Sequence, residues 1–398
     1  MEVGMKKERL YELDWLRTIA IVILLFFHTG MFFNTWGWHI KNNDTSTILN
    51  VIMAWLHEWR MPLLLVISGA GTYFALGFRS KGSYLKERGK RLLIPLIFGM
   101  FVIVPPQIYF EHYSEYASYV DFWPSVLQFV PYPEGSFSWH HLWFIAYLFV
   151  YSLVCLPVFL YLRSDSARGL KSRLLEVLKG KIGFTWFLLA MVGSQFLFRP
   201  FFPEQKHDLT DLGYIIHYGL YFLFGYVIFS VEGVREVLLS KRRTHLILAI
   251  CTLPLFYLAW FIPYTLSVGP YDFIFHIPAT ATAWYFILSL LGYGQTWLNR
   301  SSNLLKILNE GLYPFYILHQ TVIMIVAFPM RNLEWNIWLK FNLVWVGTLI
   351  ICLALYVVLI RPFNLCRILF GMKPRAKRQD VKNPVRMSVV EAHEATSL

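Results

Sequence analysis

The sequence predicts an all-α fold, a polytopic membrane helix bundle of about ten transmembrane helices. Of its 398 residues, 57% are hydrophobic and only 15% are charged, whereas a soluble domain carries roughly a quarter charged residues. Apolar runs of about 20 residues, the length that crosses the hydrocarbon core, recur along nearly the whole chain. No stretch is long and polar enough for a second globular unit. The predicted spans are 13–33, 57–78, 92–110, 142–162, 183–199, 212–231, 245–264, 272–294, 312–330 and 338–361.

The distribution of Lys and Arg predicts how this bundle is oriented. If the N-terminus is cytoplasmic, the cytoplasmic segments hold 4, 6, 6, 4, 2 and 8 of the 36 Lys and Arg residues in chain order. Windows 92–162 and 244–299 contain neither residue type. This positive-inside pattern predicts a multi-pass protein of the cell (inner) membrane with both termini in the cytoplasm. Topology and anionic inner-leaflet lipid explain the net charge of +12, so the lipid bilayer is an expected partner and nucleic acid is not.

Composition divides the chain into three segments. Residues 1–12 form a cytoplasmic N-terminal segment, 13–361 a transmembrane domain, and 362–398 a basic, disordered cytoplasmic tail. No small-residue cleavage site follows the first apolar run, which favours an uncleaved first helix over a signal peptide. The four cysteines match neither a metal motif nor a disulfide framework, and we interpret them as packing residues.

The first span carries two polar residues on one face. Arg17 and His28 are 11 residues apart, which is about three helical turns and roughly 16 Å along the axis. Such residues inside a membrane usually face a polar interior or a substrate path. Arg17 could equally extend to the inner headgroups, and both interpretations stay open. His28 lies deep in an apolar run, where function is favoured over a hydrogen bond to a neighbouring helix.

Charged residues also flank the second span. It is predicted to open with His57, Glu58 and Arg60 at the outer mouth, where Glu58 and Arg60 point to different helix faces. They could bind a polar acceptor or simply mark the membrane interface. The inner loop that follows is strongly basic, and Arg binds phosphate in bidentate fashion. This loop could seat a phosphorylated cytosolic ligand or serve topology alone. Its positive residues are Arg79, Lys81, Lys86, Arg88, Lys90 and Arg91, and Arg88 and Arg91 share a helical face.

The longest outer loop, 111–141, is aromatic and acidic, and it leads into His140, His141 and Trp143. Aromatic faces with carboxylates suit a carbohydrate, and an aromatic belt at the membrane interface is an equally good interpretation. The paired histidines could suggest a metal, but no third ligand follows at a recognisable spacing, so no metal site is predicted. His319, in the ninth span, is expected to make a structural hydrogen bond.

In their order and topology these segments resemble acyltransferase family 3 of membrane proteins, from about Tyr11 to Arg361. The matching pieces are LDWLRTIAIVILLFFH, RMPLLLVISG, KERGKRLLIPLIFG, HHLWFIAYL, GLYFLFGYVIF and YPFYILHQ. The first piece contains the family's Arg-x10-His pair as Arg17 and His28. RMPLLLVISG with IVPPQIYF and HHLWF is similar to the branch that modifies membrane-derived glucans.

The resemblance implies a membrane-bound acyltransferase with about ten helices. It would move an acetyl or succinyl group from cytosolic acyl-CoA, a co-substrate rather than a permanently bound cofactor, to a hydroxyl of an extracytoplasmic carbohydrate. Arg17 and His28 would be catalytic, with His28 as general base or transient acyl carrier. Arg79, Arg88 and Arg91 would bind the CoA phosphates, and the acceptor would meet Glu58, Arg60, His141 and Trp143. No SGNH-type hydrolase domain follows in this sequence, so we expect the membrane domain or a separate partner to complete the transfer.

A transporter or flippase for a lipid-linked sugar is the alternative function. It would share the ten helices, the intramembrane charges and the aromatic outer loop. The sequence shows no internal repeat or paired broken helices of the kind many transporters have, which makes this alternative weaker.

Overall fold

The computed structural model describes residues 9–202, 208–261, 274 and 276–375. Within these residues a helix occupies each of the ten predicted spans. Their bounds are α1 Tyr11–Phe33, α2 Thr47–Phe78, α3 Lys81–Glu111, α4 His140–Arg163, α5 Thr185–Phe198, α6 Leu212–Ser230, α7 Arg242–Phe261, α8 His276–Trp297, α9 Asn303–Met330 and α10 Ile337–Ile360. The predicted all-α fold is confirmed.

Most of these helices are long and apolar enough to cross a membrane. Across the described ranges seven qualify, or eight if α4, which bends by 50° after Val154, counts as one span. The helix α5 has only 14 residues, about 21 Å at 1.5 Å per residue. The protein is therefore a multi-pass membrane protein.

Several helices begin earlier than their apolar runs. The helix α2 starts at Thr47 instead of 57, α3 at Lys81 instead of 92, and α9 at Asn303 instead of 312. Hydropathy marks only the part of a helix that faces lipid, whereas capping groups mark its ends. Ser302, whose side chain accepts a hydrogen bond from the Leu304 backbone N–H, is such a cap. The prediction that Glu58 and Arg60 open the second helix is therefore wrong, because both lie about three turns inside it.

Close packing of α2 on α6 fixes the centre of the bundle. A Cβ on Gly69 would overlap the backbone oxygen of Phe222, and one on Gly225 would overlap that of Val66. Small residues at helix crossings let membrane helices approach in this way. The Ser68 hydroxyl donates to the Leu64 carbonyl at 2.7 Å. The small residues around Ser68 thus serve helix packing.

Two of the helices contain π-helical turns. In α3 these turns are Gly89–Leu93 and Gly99–Ile103, and in α10 the turn is Tyr356–Ile360. Each π turn accommodates an extra residue within an otherwise α-helical ladder. The two turns of α3 lie between its basic first turns and Glu111 at its end.

The two ends of the bundle differ in composition, and we name them accordingly. The basic end contains residues 79–91 and the short helices Arg168–Lys179 and Val234–Ser240. The aromatic end contains residues 34–46 and 112–139. Both of its segments are folded, since Phe122 and Val126 are fully buried and Lys340 Nζ donates to Asn42 Oδ1 at 2.6 Å.

The C-terminal segment begins with ordered structure. A helix spans Asn364–Leu369, and Arg367 forms an ion pair with Glu310 at 3.0 Å. The first part of the segment predicted as a disordered tail is therefore anchored to α9. The prediction for the rest of that tail and for residues 1–8 falls outside the described residues.

Candidate functional site

A pair of histidines joins α1 to α9 within the bundle. His28 Nδ1 and His319 Nε2 are 2.7 Å apart, and the two rings stack with centroids 4.9 Å apart. The other ring nitrogen of His319, Nδ1, lies 2.6 Å from the Tyr316 carbonyl oxygen. The structure thus brings together a histidine expected to be functional and one expected to be structural.

The hydrogen bonds of this pair determine its tautomers when both rings are neutral. The Tyr316 carbonyl can only accept, so His319 carries its proton on Nδ1 and accepts at Nε2. His28 must then donate from Nδ1, which leaves a lone pair on its Nε2. The His28 ring is only partly buried, and within the described residues its hydrogen bond is made by Nδ1 to His319 and not by Nε2. This nitrogen is therefore available as a base or nucleophile.

A cavity of about 490 Å³ opens at the basic end, and we call it the basic cavity. Four arginines line it, namely Arg17, Arg79, Arg88 and Arg91. Its wall also includes Phe144 and Tyr316. Because Tyr316 is the residue whose carbonyl holds His319, the cavity reaches within one helical turn of the histidine pair.

The charges of the basic cavity are unbalanced. Glu87 lies 2.7 Å from Arg79 and 3.6 Å from Arg91, so one carboxylate serves two guanidinium groups. Arg88 donates to the Thr72 hydroxyl at 3.1 Å. Arg17 lies 3.5 Å from Asp14, and its side chain is 42% exposed. The structure therefore places Arg17 with the loop arginines instead of beside His28, and the cavity suits an anionic ligand.

A second cavity, of about 460 Å³, lies towards the aromatic end, and we call it the aromatic cavity. Glu58, His217, Tyr218 and Trp260 are among the residues on its wall, most of which comes from α2 and α5 to α8. The two cavities come close on α2, where Pro62 lines the aromatic cavity and Leu64 the basic one. The basic cavity approaches the histidine pair through Tyr316, whereas neither histidine is among the residues that line the two cavities.

Arg60 lies apart from Glu58, as their different helix faces predict. Its side chain is 4% exposed and its guanidinium carbon sits 3.3 Å from the centroid of the Phe27 ring. One terminal nitrogen donates to the Leu56 carbonyl at 3.0 Å. Phe27 precedes His28, so Arg60 brings a buried positive charge close to the histidine pair.

His141 and Trp143 are packed into the bundle. His141 Nε2 donates to the Ile317 carbonyl at 3.0 Å, and Nδ1 lies 3.3 Å from Gln107 Nε2. Both of its nitrogens are therefore used, and it supports α9 two residues before His319. Trp143 packs against Tyr218 with ring centroids 5.1 Å apart. The structure places Trp143 behind the wall of the aromatic cavity and His141 within helix packing.

Comparisons with known proteins agree with these features. The model of a family described as an acyltransferase domain matches residues 10–360. Among curated proteins, the chain is similar to glucans biosynthesis protein C of Escherichia coli strain SMS-3-5, with 23% identity over 95% of this chain and 98% of the relative. The same protein of Escherichia coli K12 is 22% identical over the same shares. No solved structure matches the chain.

Proposed function

The chain belongs to acyltransferase family 3, and from this premise we propose that it moves an acetyl or succinyl group from cytosolic acyl-CoA to a hydroxyl of an extracytoplasmic glucan. It is a membrane O-acyltransferase, and the donor, the acyl group and the acceptor are what we propose. The observation that carries the proposal is the His28–His319 pair, which leaves His28 Nε2 as a base and lies one helical turn from Tyr316 on the wall of the basic cavity.

The donor would enter at the basic end. The phosphates of CoA would meet Arg17, Arg79, Arg88 and Arg91, since guanidinium groups bind phosphate oxygens with paired hydrogen bonds. Arg17 and His28 are roughly 16 Å apart along α1, a distance that an extended pantetheine arm can span. With the phosphates at the mouth, the thioester would reach the level of Tyr316 and the histidine pair.

The acceptor would enter from the aromatic end. Sugar rings present apolar faces and polar edges, and the aromatic cavity offers Trp260 and Tyr218 together with the carboxylate of Glu58. The names of the two relatives point to a glucan as the acceptor. Glu58 could accept a hydrogen bond from a sugar hydroxyl and orient it towards His28.

The chemistry follows from the tautomers of the pair. His28 Nε2 would take the proton of the acceptor hydroxyl while the hydroxyl oxygen attacks the thioester carbonyl carbon. His319 Nε2 would accept from His28 Nδ1–H and stabilise the imidazolium, and Arg60 would stabilise the oxyanion by charge. When the C–S bond breaks, the CoA thiolate takes the proton from His28, leaving an ester and free CoA. The same lone pair could instead attack the thioester first and expel the CoA thiolate, which takes up a proton, to form an acyl-histidine; attack by the acceptor hydroxyl would then release the ester and restore His28.

Reconstitution into liposomes tests this proposal. Radiolabelled acetyl-CoA or succinyl-CoA is supplied on the side of the basic end, and a glucan on the other side. We expect label on the glucan, with release of one CoA for each ester formed. A flippase for a lipid-linked sugar would instead move the lipid without transferring label, and that result would refute the acyltransferase mechanism.

A further inference from the structure

Three side chains from separate segments meet at the aromatic end, away from the cavities described above. His39 comes from the loop after α1, Glu111 from the end of α3, and His140 from the start of α4. One potential ligand atom from each lies within 4.8 Å of the others. His39 Nδ1 is 2.8 Å from Glu111 Oε2, and the His39 and His140 rings stack at 4.5 Å. In the part of the chain that the structure describes, no other group of three such ligands is found.

Neighbouring residues already hold the non-ligating atoms of His140 and Glu111. His140 Nδ1 is 2.8 Å from Ser138 Oγ, which directs His140 Nε2 towards the cluster. That Nε2 is buried and has no hydrogen-bond partner among the described residues. Tyr132 donates its hydroxyl to Glu111 Oε1 at 2.9 Å, leaving Oε2 to face His39. Metal-binding histidines and carboxylates are typically oriented by such outer hydrogen bonds.

The backbone at His140 supports the same interpretation. His140 has φ of 39°, in the left-handed region that residues other than Gly seldom adopt. The next residue, His141, hydrogen-bonds to the Ile317 carbonyl of α9. The conformation of His140 therefore directs two adjacent histidine side chains to different parts of the protein. Ordinary packing of α4 does not require an imidazole nitrogen to be buried without a partner.

We propose that His39, Glu111 and His140 bind a divalent transition metal, with Zn²⁺ as the best fit. Two imidazoles and one carboxylate are ligands that zinc favours, with a fourth position left for water. With zinc–ligand bonds of about 2.0–2.2 Å, tetrahedral ligands lie roughly 3.4 Å apart. Metal binding would open the His39–Glu111 contact from 2.8 Å and bring the remaining ligand distances, now within 4.8 Å, to that spacing. The metal replaces the hydrogen bond between His39 and Glu111.

The metal would link three segments of the aromatic end to one another. It ties the loop after α1 to α3 and α4, the two helices that carry Gln107 and His141, and His141 in turn supports α9 near His319. This role is separate from acyl transfer and does not depend on the proposed function. An ordinary His39–Glu111 ion pair is the competing interpretation, and it predicts no metal dependence.

Zinc binding to the purified full-length protein tests the proposal. The protein is stripped with a chelator, and its zinc content and affinity are measured after addition of ZnCl₂, by elemental mass spectrometry and chelator competition. We expect roughly one bound zinc for each chain and a higher melting temperature with zinc. His140→Asn should lose this site. Tyr132→Phe, which removes only the hydrogen bond to Glu111, should weaken zinc affinity about 10- to 100-fold.

His112→Asn is the matched control. His112 Nδ1 lies 2.8 Å from Glu115 Oε1, a histidine–carboxylate contact like that of His39 and Glu111, in the segment that joins α3 to α4. This variant should bind zinc as the wild type does. The proposal is overturned if the wild type retains no zinc, if His140→Asn keeps wild-type affinity, or if His112→Asn loses zinc to the same extent. All comparisons use monodisperse protein, so that a folding defect is not scored as loss of a ligand.

Discussion

Replacing His28 is the most direct test of the candidate site. In His28→Gln the amide can still hydrogen-bond to His319, but no group of suitable basicity remains at the position of Nε2. Loss of a general base typically lowers the rate about 100- to 10,000-fold, equivalent to roughly 2.7–5.4 kcal/mol in the activation free energy. Loss of an acyl carrier would lower it further.

The structural cost of the same substitution should be small. The wild-type contact with His319 is one hydrogen bond, with a net contribution of about 0.5–1.5 kcal/mol to stability. His28→Gln keeps a donor and an acceptor near His319 and leaves the packing of α1 on α9 nearly unchanged. Membrane insertion and protein level should therefore stay close to wild type while turnover falls by orders of magnitude.

The assay is turnover for each mole of monodisperse protein in liposomes, with labelled acyl-CoA at saturation. His245→Gln serves as the matched control, since His245 is a buried histidine of α7 whose ring packs against Phe184 and not against the histidine pair. Retention of more than about a tenth of wild-type turnover by well-folded His28→Gln would exclude His28 as the proton acceptor. A purely structural His28 would lower the melting temperature and leave turnover of the folded fraction intact.

Three other predictions follow from the basic cavity, from helix packing and from the aromatic end. Arg88→Ala should raise the KM for acyl-CoA about ten- to a hundredfold, through loss of a charge-assisted hydrogen bond of about 1.5–3 kcal/mol. Arg168→Ala, at a side chain 78% exposed, should leave that KM unchanged. If the two variants changed the KM equally, Arg88 would have no specific role in binding the CoA phosphates. Gly69→Ala should destabilise the α2–α6 contact by about 1–3 kcal/mol. Gly71→Ala should not, because nothing lies within 4 Å of its new Cβ. Equal melting temperatures for the two variants would contradict close packing of α2 on α6 at Gly69. Burial lowers the pKa of Lys41 from 10.5 to about 8. As the pH rises, the folded protein therefore loses this proton at a lower pH than the unfolded chain does, and the contribution of Lys41 to stability rises between pH 8 and 10.5. Lys41→Met should flatten that rise in thermal melts, and an unchanged pH profile would show that Lys41 is solvated.

The polar faces of single helices could be predicted from sequence. Helical periodicity alone places Arg17 and His28 on one side of α1, and the same reasoning separates Glu58 from Arg60. Both arrangements appear in the structure, because a helix fixes the directions of its own side chains. The roles assigned to these residues stay predictions.

The partners of those faces could not be predicted. His28 and His319 are 291 residues apart in the chain, and only the packing of α1 on α9 brings their rings together. The sequence feature that could have pointed to this pair is His319 in the largely apolar run YPFYILHQ. Placing His319 in a membrane costs free energy just as placing His28 there does. Similarly, nothing in the spacing of His140 and His141 shows that one joins His39 and Glu111 while the other supports α9.

The π-helical turns of α3 have a consequence for comparing this chain with its relatives. Removing one residue from such a turn restores an ordinary α-helical ladder and rotates everything beyond it by about 100°. A one-residue gap in Gly89–Leu93 or Gly99–Ile103 would leave Arg88 in place and turn Glu111 away from His39. Relatives that differ in length here should therefore differ in which residues their third helix presents at the aromatic end. Conserved positions beyond such a gap should be matched by angle around the helix axis and not by residue count.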